Sequence, residues 1–193
     1  MKREALKGLL HRYWAKPLAI LLDKAGLSAN AITVLGLFIS FGAAYLLSRG
    51  WFMSGGIVLL IAAAFDLLDG TLARMQDQAS RFGAFLDSVS DRLSEAAIFL
   101  GLLIFYSLEH NVTGSILVSL ALIFSFMVSY LRARAEGLQI DSSVGLATRP
   151  ERVIILGIGV ILGFVIPTLA LIAALSLFTS IQRFHHVWKA SQT

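Results

Sequence analysis

Four aspartates at regular spacing are the residues of this chain best suited to do chemistry. They lie in the segment FDLLDGTLARMQDQASRFGAFLDSVSDR, at residues 65–92. Asp66 and Asp69 are three residues apart, and Asp87 and Asp91 are four apart, so each pair lies on one face of a helix. The short polar connector MQDQAS makes two such helices antiparallel neighbours. All four carboxylates are therefore expected to meet at one depth.

The composition places these aspartates in a membrane protein. Hydrophobic residues make up 57% of the 193 residues, charged residues only 15%, and the mean hydropathy is +0.79. A soluble domain of this size would carry more charge. We expect an all-α integral membrane protein, with residues 1–193 in a single domain and a six-helix transmembrane core at 30–187. The six apolar runs are 30–48, 53–74, 83–106, 112–134, 152–166 and 168–187, with a break near Pro167.

The basic residues predict the orientation in the membrane. Of the 16 lysines and arginines, all but Arg49 fall on one side of the expected helices. Basic residues are retained on the cytoplasmic side. We therefore expect a multi-pass cell-membrane protein whose termini and aspartates are cytoplasmic. Anionic lipid at that surface accounts for the net charge of +4 without a nucleic-acid partner.

The first 25 residues, MKREALKGLLHRYWAKPLAILLDKA, predict an interfacial amphipathic helix. Charges interrupt the apolar stretch and no small-residue cleavage site follows it, which argues against a cleaved signal peptide. Leu9 and Trp14 would face lipid, while Lys2, Arg3 and Lys7 would face the headgroups. A soluble cap is the alternative structure for this segment.

Clustered carboxylates in a membrane need a compensating cation. A charged side chain at the bilayer centre costs about 3 kcal/mol on insertion scales, and neighbouring carboxylates also repel one another. A hard divalent cation turns that repulsion into coordination, because it prefers oxygen ligands. The chain has no cysteine, and no histidine lies near the cluster, so the donor set favours magnesium or manganese over zinc or copper. One or two ions could be held, and four carboxylates suit two.

The aspartates belong to a longer pattern that resembles the signature of the CDP-alcohol phosphotransferase family. The eight matching positions are Asp66, Asp69, Gly70, Ala73, Arg74, Gly83, Asp87 and Asp91. The segments SANAIT, SYLRARAE and RPERVI and the six-helix layout extend the resemblance over most of the chain. Within the family, the later segments look most like phosphatidylinositol phosphate synthases and their archaeal, archaetidylinositol-forming counterparts.

The resemblance implies a metal-dependent transfer from a CDP-lipid to an alcohol. The hydroxyl of an inositol phosphate would attack the lipid-bearing phosphate, releasing CMP and forming phosphatidylinositol phosphate. Asp66, Asp69 and Asp87 would hold Mg²⁺ or Mn²⁺, with two ions expected. Asp91 resembles the family's proposed general base and is also expected to touch the second metal. The family resemblance implies a homodimer as well.

The donor is expected to lie near the first turn of the first membrane helix, where free backbone N–H groups can hold a phosphate. Glycine permits its close approach, and two polar residues match positions that contact the donor in related enzymes. The residues predicted to bind the CDP-lipid are Ala29, Asn30, Ala31, Ile32, Gly70, Arg74 and Ser80. Structural alternatives are that Asn30 only caps its helix and that Arg74 only anchors the interface.

Four arginines are predicted to bind the acceptor phosphate. Arg132 and Arg134 end the fourth predicted helix, and Arg149 and Arg152 precede or begin the fifth, on the same side as the aspartates. Bidentate guanidinium groups suit an acceptor that already carries a phosphate, and an unphosphorylated alcohol would not need them. The alternative explanation for these residues is the retention of basic side chains at the cytoplasmic surface.

Two other functions remain compatible with the pattern. The first is phosphatidylglycerophosphate synthase, which uses glycerol 3-phosphate and would need a similar basic pocket. The second, from another class, is a small ion transporter. A transporter is expected to line a midplane path with broken helices, whereas these acids cluster at one end.

Overall fold

The computed structural model describes residues 16–76, 80–142 and 144–192. Within these ranges the chain forms helices and no strand, which confirms the all-α prediction. The helices are α1 (Lys16–Lys24), α2 (Ala29–Ser48), α3 (Phe52–Met75), α4 (Arg81–Leu108), α5 (Val112–Gly137), α6 (Arg149–Ile161) and α7 (Val165–Ala190).

Four of the described helices have both the length and the apolarity needed to cross a membrane: α2, α3, α5 and α7. Helix α4 is longer than these, but Asp87, Asp91 and Arg92 lie in its first half and Glu95 lies at its middle. Helix α6 has 13 residues. That is about 20 Å of helix, shorter than a hydrocarbon core of roughly 30 Å. The chain is a membrane protein, and the six-span arrangement stays a prediction.

The break between the last two helices lies earlier than predicted. Helix α6 ends at Ile161, and Gly163 turns the chain with a φ of 77°. A positive φ suits glycine because it has no Cβ. Pro167 lies inside the first turn of α7, where a missing N–H breaks no helical hydrogen bond. Helix α6 also begins earlier than predicted, at Arg149.

The helices α2 to α7 all contribute residues to one hydrophobic core. Helix α2 packs against α3 and α4, α5 packs against α4 and α7, and α6 packs mainly against α3 and α7. Small residues allow close approach between helices. A Cβ on Gly101 of α4 would lie 2.3 Å from the carbonyl oxygen of Ala44 in α2. The buried residues Leu47, Phe99, Leu102, Val118, Leu169 and Ile172 form the centre of this core.

Helix α1 covers the end of α2 and α3 that carries the aspartates. Ala19 of α1 is buried in a cluster with Ile32, Leu68 and Leu72. The side-chain amide of Gln76, which follows α3, links α3 to α1 and to the turn after α1. It donates to an Asp23 carboxylate oxygen at 2.8 Å and to the Leu27 carbonyl at 3.1 Å. Of the predicted interfacial helix at 1–25, residues 1–15 lie outside the described part of the chain.

Candidate active site

Asp69 is the most deeply placed of the four aspartates. It lies on α3 and is only 4% exposed. The Thr33 hydroxyl of α2 donates to its Oδ2 at 2.6 Å, and the Gly70 N–H donates to its Oδ1 at 2.5 Å. Gly36, one turn further along α2, has no side chain to separate the helices: a Cβ there would lie 3.5 Å from Asp66 Oδ1. Helix α2 thus fixes one side of the cluster.

A guanidinium from α6 joins the two aspartate helices. Arg149 Nη1 lies 2.6 Å from Asp66 Oδ2 and 2.6 Å from Asp91 Oδ1. All three side chains are about one-fifth exposed. Asp87, half-buried on α4, is close enough for electrostatic interaction with Asp66, Asp91 and Arg149. The predicted convergence of the four carboxylates on one region is confirmed, and Arg149 lies within it.

A cavity of about 250 Å³ opens beside three of the aspartates. It is bounded by the first turn of α2, the last turns of α3 and the first turns of α4. Asp66, Asp69 and Asp87 line it, but Asp91 does not. Of the seven residues predicted to bind the donor, five line this cavity: Ala29, Asn30, Gly70, Arg74 and Ser80. The three aspartates and most of the predicted donor residues therefore share one space.

The other two predicted donor residues lie outside the cavity lining. The Ile32 side chain is fully buried against Leu68 and Leu72, because it faces α3 and α1 rather than the cavity. The Ala31 N–H is directed at the Ser28 hydroxyl oxygen, which accepts it at 3.3 Å. Ser28 is thus the N-cap of α2. The alternative that Asn30 serves as this cap is wrong.

The four predicted acceptor arginines lie in three different environments. Arg149 is at the aspartates, whereas Arg132 and Arg134 are exposed at the end of α5, where Arg132 Nε donates to Glu136 at 2.7 Å. Arg152 is 2% exposed and donates to the two carboxylate oxygens of Glu95 at 2.8 and 2.9 Å. Its third nitrogen donates to the Ala147 carbonyl at 3.0 Å. The prediction that Arg152 contacts the acceptor phosphate needs correction, because its guanidinium is already buried and satisfied by protein.

Arg183 was not predicted to act near the site, yet it holds the segment that leads into α6. It is 2% exposed on α7 and donates to the carbonyls of Val128 at 2.6 Å and Val144 at 2.8 Å. A lone arginine inside an apolar helix is costly and therefore usually has a role, which is the signal that could have found it. Thr33 and Gly36 had no comparable signal, because Thr and Gly are common at membrane-helix interfaces.

The oxygen atoms at this site are of the type that binds a hard divalent cation. Three carboxylates line one cavity, and such oxygens are the ligands that magnesium and manganese prefer. Among the described residues, no three acidic or histidine side chains form a ready-made metal site. Arg149 instead engages Asp66 and Asp91 in this arrangement. The chemistry of the cluster therefore suits a metal, although the carboxylates are not already gathered around a single point.

A comparison with known families shows which family the chain belongs to. A family model described as CDP-alcohol phosphatidyltransferase matches residues 27–190. The chain belongs to the CDP-alcohol phosphatidyltransferase family. The matched range includes all four aspartates and the cavity beside them.

Several members of this family are similar over most of the chain. The archaetidylinositol phosphate synthase of Methanothermobacter thermautotrophicus is 38% identical over 173 residues, covering 86% of each chain. The phosphatidylinositol phosphate synthase of Mycobacteroides abscessus is 36% identical over 195 residues, covering 94% of this chain and 89% of that one.

Solved structures of one relative match the fold closely. The Mycobacterium tuberculosis phosphatidylinositol phosphate synthase with CDP-DAG bound has a TM-score of 0.84 at 33% identity, covering 91% of this chain and 94% of that chain. The same enzyme in complex with manganese and citrate has a TM-score of 0.83 at 33% identity, covering 90% and 88% of the two chains.

Proposed function

We propose that this protein transfers a phosphatidyl-type group from a CDP-lipid to the hydroxyl of an inositol phosphate, releasing CMP. The observation that carries the proposal is the placement of three aspartates in one cavity, with Asp91 and Arg149 beside it. The similar family members are named for inositol phosphate products, and one was solved with CDP-DAG bound. The donor lipid is CDP-diacylglycerol or its ether analogue.

The donor's nucleotide and pyrophosphate would occupy the cavity of about 250 Å³. Asn30 and Ser80 bring polar groups to its rim, and Arg74 brings a cation that suits a pyrophosphate. Gly70 and Gly83 have no side chains that would occupy space in the cavity. A Cβ on Gly83 would lie 3.2 Å from Asn30 Oδ1. We assign donor binding to Ala29, Asn30, Gly70, Arg74 and Ser80.

The metal ligands proposed are Asp66, Asp69 and Asp87, with Asp91 near a second ion. We propose Mg²⁺, two ions of it, as the physiological cofactor; the manganese complex of the relative supports a divalent metal. A bound ion supplies charge neutralisation on the pyrophosphate and on the departing CMP phosphate. Thr33 supports this set, because its hydroxyl fixes the Asp69 carboxylate.

Changing Thr33 to Val is expected to weaken metal binding about tenfold, because hydrogen bonds that orient metal ligands typically contribute that much. The substitution keeps the shape of the side chain and removes only the hydroxyl that donates to Asp69. Mn²⁺ affinity can be measured by electron paramagnetic resonance on purified protein. Thr113→Val, on the exposed face near the start of α5, is the matched control and should leave the affinity unchanged. An unchanged affinity in Thr33→Val would contradict the assignment of Asp69 as a ligand.

We assign the role of general base to Asp91. It does not line the donor cavity, and its carboxylate lies against Arg149. An acceptor whose phosphate engages Arg149 would bring a hydroxyl to Asp91, which would take the proton as the oxygen attacks phosphorus. Arg132 and Arg134, exposed at the end of α5, are proposed as further contacts for the acceptor phosphate.

Replacing Arg149 by Gln is expected to raise the KM for inositol phosphate by about tenfold or more, since a charge-assisted hydrogen bond is worth roughly 1.5–3 kcal/mol. The KM for the CDP-lipid should change little, because Arg149 does not line the donor cavity. Steady-state CMP release with each substrate varied in turn measures both constants. Arg49→Gln, exposed at the other end of α2, is the control. Equal effects on both constants would contradict an acceptor role.

The membrane arrangement proposed has six spans in one domain, with the site and both termini cytoplasmic. The four apolar helices support it directly, and α4 and α6 would complete it by crossing with their neighbours. The excess of basic residues on the aspartate side supports the orientation. A homodimer in the cell membrane is proposed on the family resemblance.

An acceptor comparison tests the proposed function. Purified protein with CDP-diacylglycerol and Mg²⁺ should release CMP with inositol 3-phosphate but not with free inositol or serine. The runner-up, phosphatidylglycerophosphate synthase, predicts release with glycerol 3-phosphate instead. Release with glycerol 3-phosphate alone would reassign the basic residues to that acceptor.

A further inference from the structure

We infer that Glu95 is a positioning residue of the active site. Through its ion pair with Arg152, it fixes the position of the Arg149 guanidinium. The inference rests on the proposed function, because it concerns the arginine assigned to the acceptor. Glu95 does not line the donor cavity and is buried on α4 at 7% exposure. Its carboxylate is fully engaged by the Arg152 guanidinium through two hydrogen bonds, at 2.8 and 2.9 Å.

Helices α4 and α6 are joined by two ion pairs, one turn apart. On α4, Glu95 follows Asp91 by four residues, and on α6, Arg152 follows Arg149 by three. Residues at these spacings share one helix face. The Asp91–Arg149 pair, at 2.6 Å, faces the site, while the Glu95–Arg152 pair is closed off from solvent. The buried pair therefore lies directly behind the pair that meets the substrate.

Long side chains, rather than close helix packing, join α6 to α4. Helix α6 packs mainly on α3 and α7 rather than on α4. A small cavity of about 20 Å³ lies between residues of α2, α3, α4 and α6, and its lining includes Ser94, Glu95, Arg149 and Arg152. Direct packing between α6 and α4 is slight, so the bidentate Glu95–Arg152 pair, with its fixed fork geometry, is the main buried link between these two helices.

Arg152 also holds the segment of chain that leads into α6. Its Nη1 donates to the Ala147 carbonyl at 3.0 Å, two residues before Arg149. The Ala147 N–H donates to the Thr179 hydroxyl of α7 at 3.1 Å. Glu95 is thus connected, through Arg152, to both sides of Arg149. The Glu95 charge also acts on Arg149 itself.

Kinetics and thermal unfolding test the inference with three variants of the ion pair and one control. Glu95→Gln is expected to raise the KM for inositol phosphate about tenfold, because a charge-assisted hydrogen bond is lost. The KM for CDP-lipid should stay within about twofold of the wild-type value. Glu95→Asp should recover part of the effect, because it keeps the charge. In the double variant Glu95→Met with Arg152→Met, both partners become apolar, so Tm should recover while the acceptor KM stays high. Leu102→Ala, buried on the same helix, should lower Tm without raising the acceptor KM.

A measurement without substrate keeps the inference separable from the proposed function. The chain contains no cysteine, so single cysteines at the exposed Leu93 of α4 and Ile154 of α6 can carry spin labels. In detergent, the wild-type background should give a narrow distance distribution, and the double methionine background a broadened or displaced one. An unchanged distribution, or an acceptor KM that recovers together with Tm, would overturn the inference. Absence of wild-type turnover with inositol phosphate would instead count against the proposed function alone.

Discussion

Asp91→Asn is expected to lower CMP release by about a thousandfold, in the range that general bases contribute. Asparagine keeps the size of the side chain and can still accept a hydrogen bond from Arg149, which lies 2.6 Å from Asp91. It cannot take a proton from the acceptor hydroxyl. The loss should appear in kcat, while the KM for the CDP-lipid stays close to wild type because Asp91 does not line the donor cavity.

Single-turnover CMP release with saturating inositol phosphate isolates this step. Glu109→Gln provides the matched acid-to-amide control, since Glu109 is exposed at the other end of α4. Its rate should equal that of the wild type. Retention of a tenth or more of the activity in Asp91→Asn would mean that another group takes the proton.

The largest expected effect on folding comes from Gly101→Val in α4. A Cβ at this position would lie 2.3 Å from the Ala44 carbonyl oxygen and 2.9 Å from its carbonyl carbon. Those are backbone atoms of α2, so relief requires the two helices to separate. Overpacking of this kind costs about 3 kcal/mol or more of unfolding free energy when the backbone has to move. Because α2, α3 and α4 together bound the donor cavity, separation of α2 from α4 should also reduce activity.

Thermal unfolding in detergent measures the loss. Gly42→Val is the control, since a Cβ at Gly42 meets no atom within 4 Å and the residue lies on the exposed face of α2. It should unfold near the wild-type temperature. Equal Tm values for the two variants would contradict the close α2–α4 contact.

The aspartate cluster could be predicted because its geometry depends on short sequence distances. Spacings of three and four place each pair on one helix face, and a short connector makes the helices neighbours. Both conditions hold in the structure, where α3 and α4 bring Asp66, Asp69 and Asp87 to one cavity. Local periodicity is therefore enough to find this part of the site.

The arginines show where sequence reasoning stops. Arg149 and Arg152 are three residues apart and had the same predicted role, yet one lies at the aspartates and the other is buried on Glu95. The difference depends on partners from other helices, 83 residues away for Asp66 and 57 for Glu95. Charge and position alone do not tell a ligand-binding arginine from one that holds helices together.

The polar residues that hold the aspartates in place could not be predicted from the sequence either. Thr33 matters because α2 packs against α3, which places its hydroxyl 2.6 Å from Asp69. The same residue type on a lipid-facing turn would only donate to its own helix, as Thr33 also does toward the Ala29 carbonyl at 3.1 Å. Only the tertiary packing selects between these roles.

The most direct test of the central claim follows the phosphate of the acceptor. Purified protein would be given CDP-diacylglycerol, inositol phosphate labelled in its phosphate group, and Mg²⁺ with or without excess EDTA. Metal-dependent transfer predicts label in the lipid fraction, one CMP released for each labelled lipid, and neither product with EDTA. CMP release without labelled lipid, or labelled lipid that forms equally well with EDTA, would contradict it.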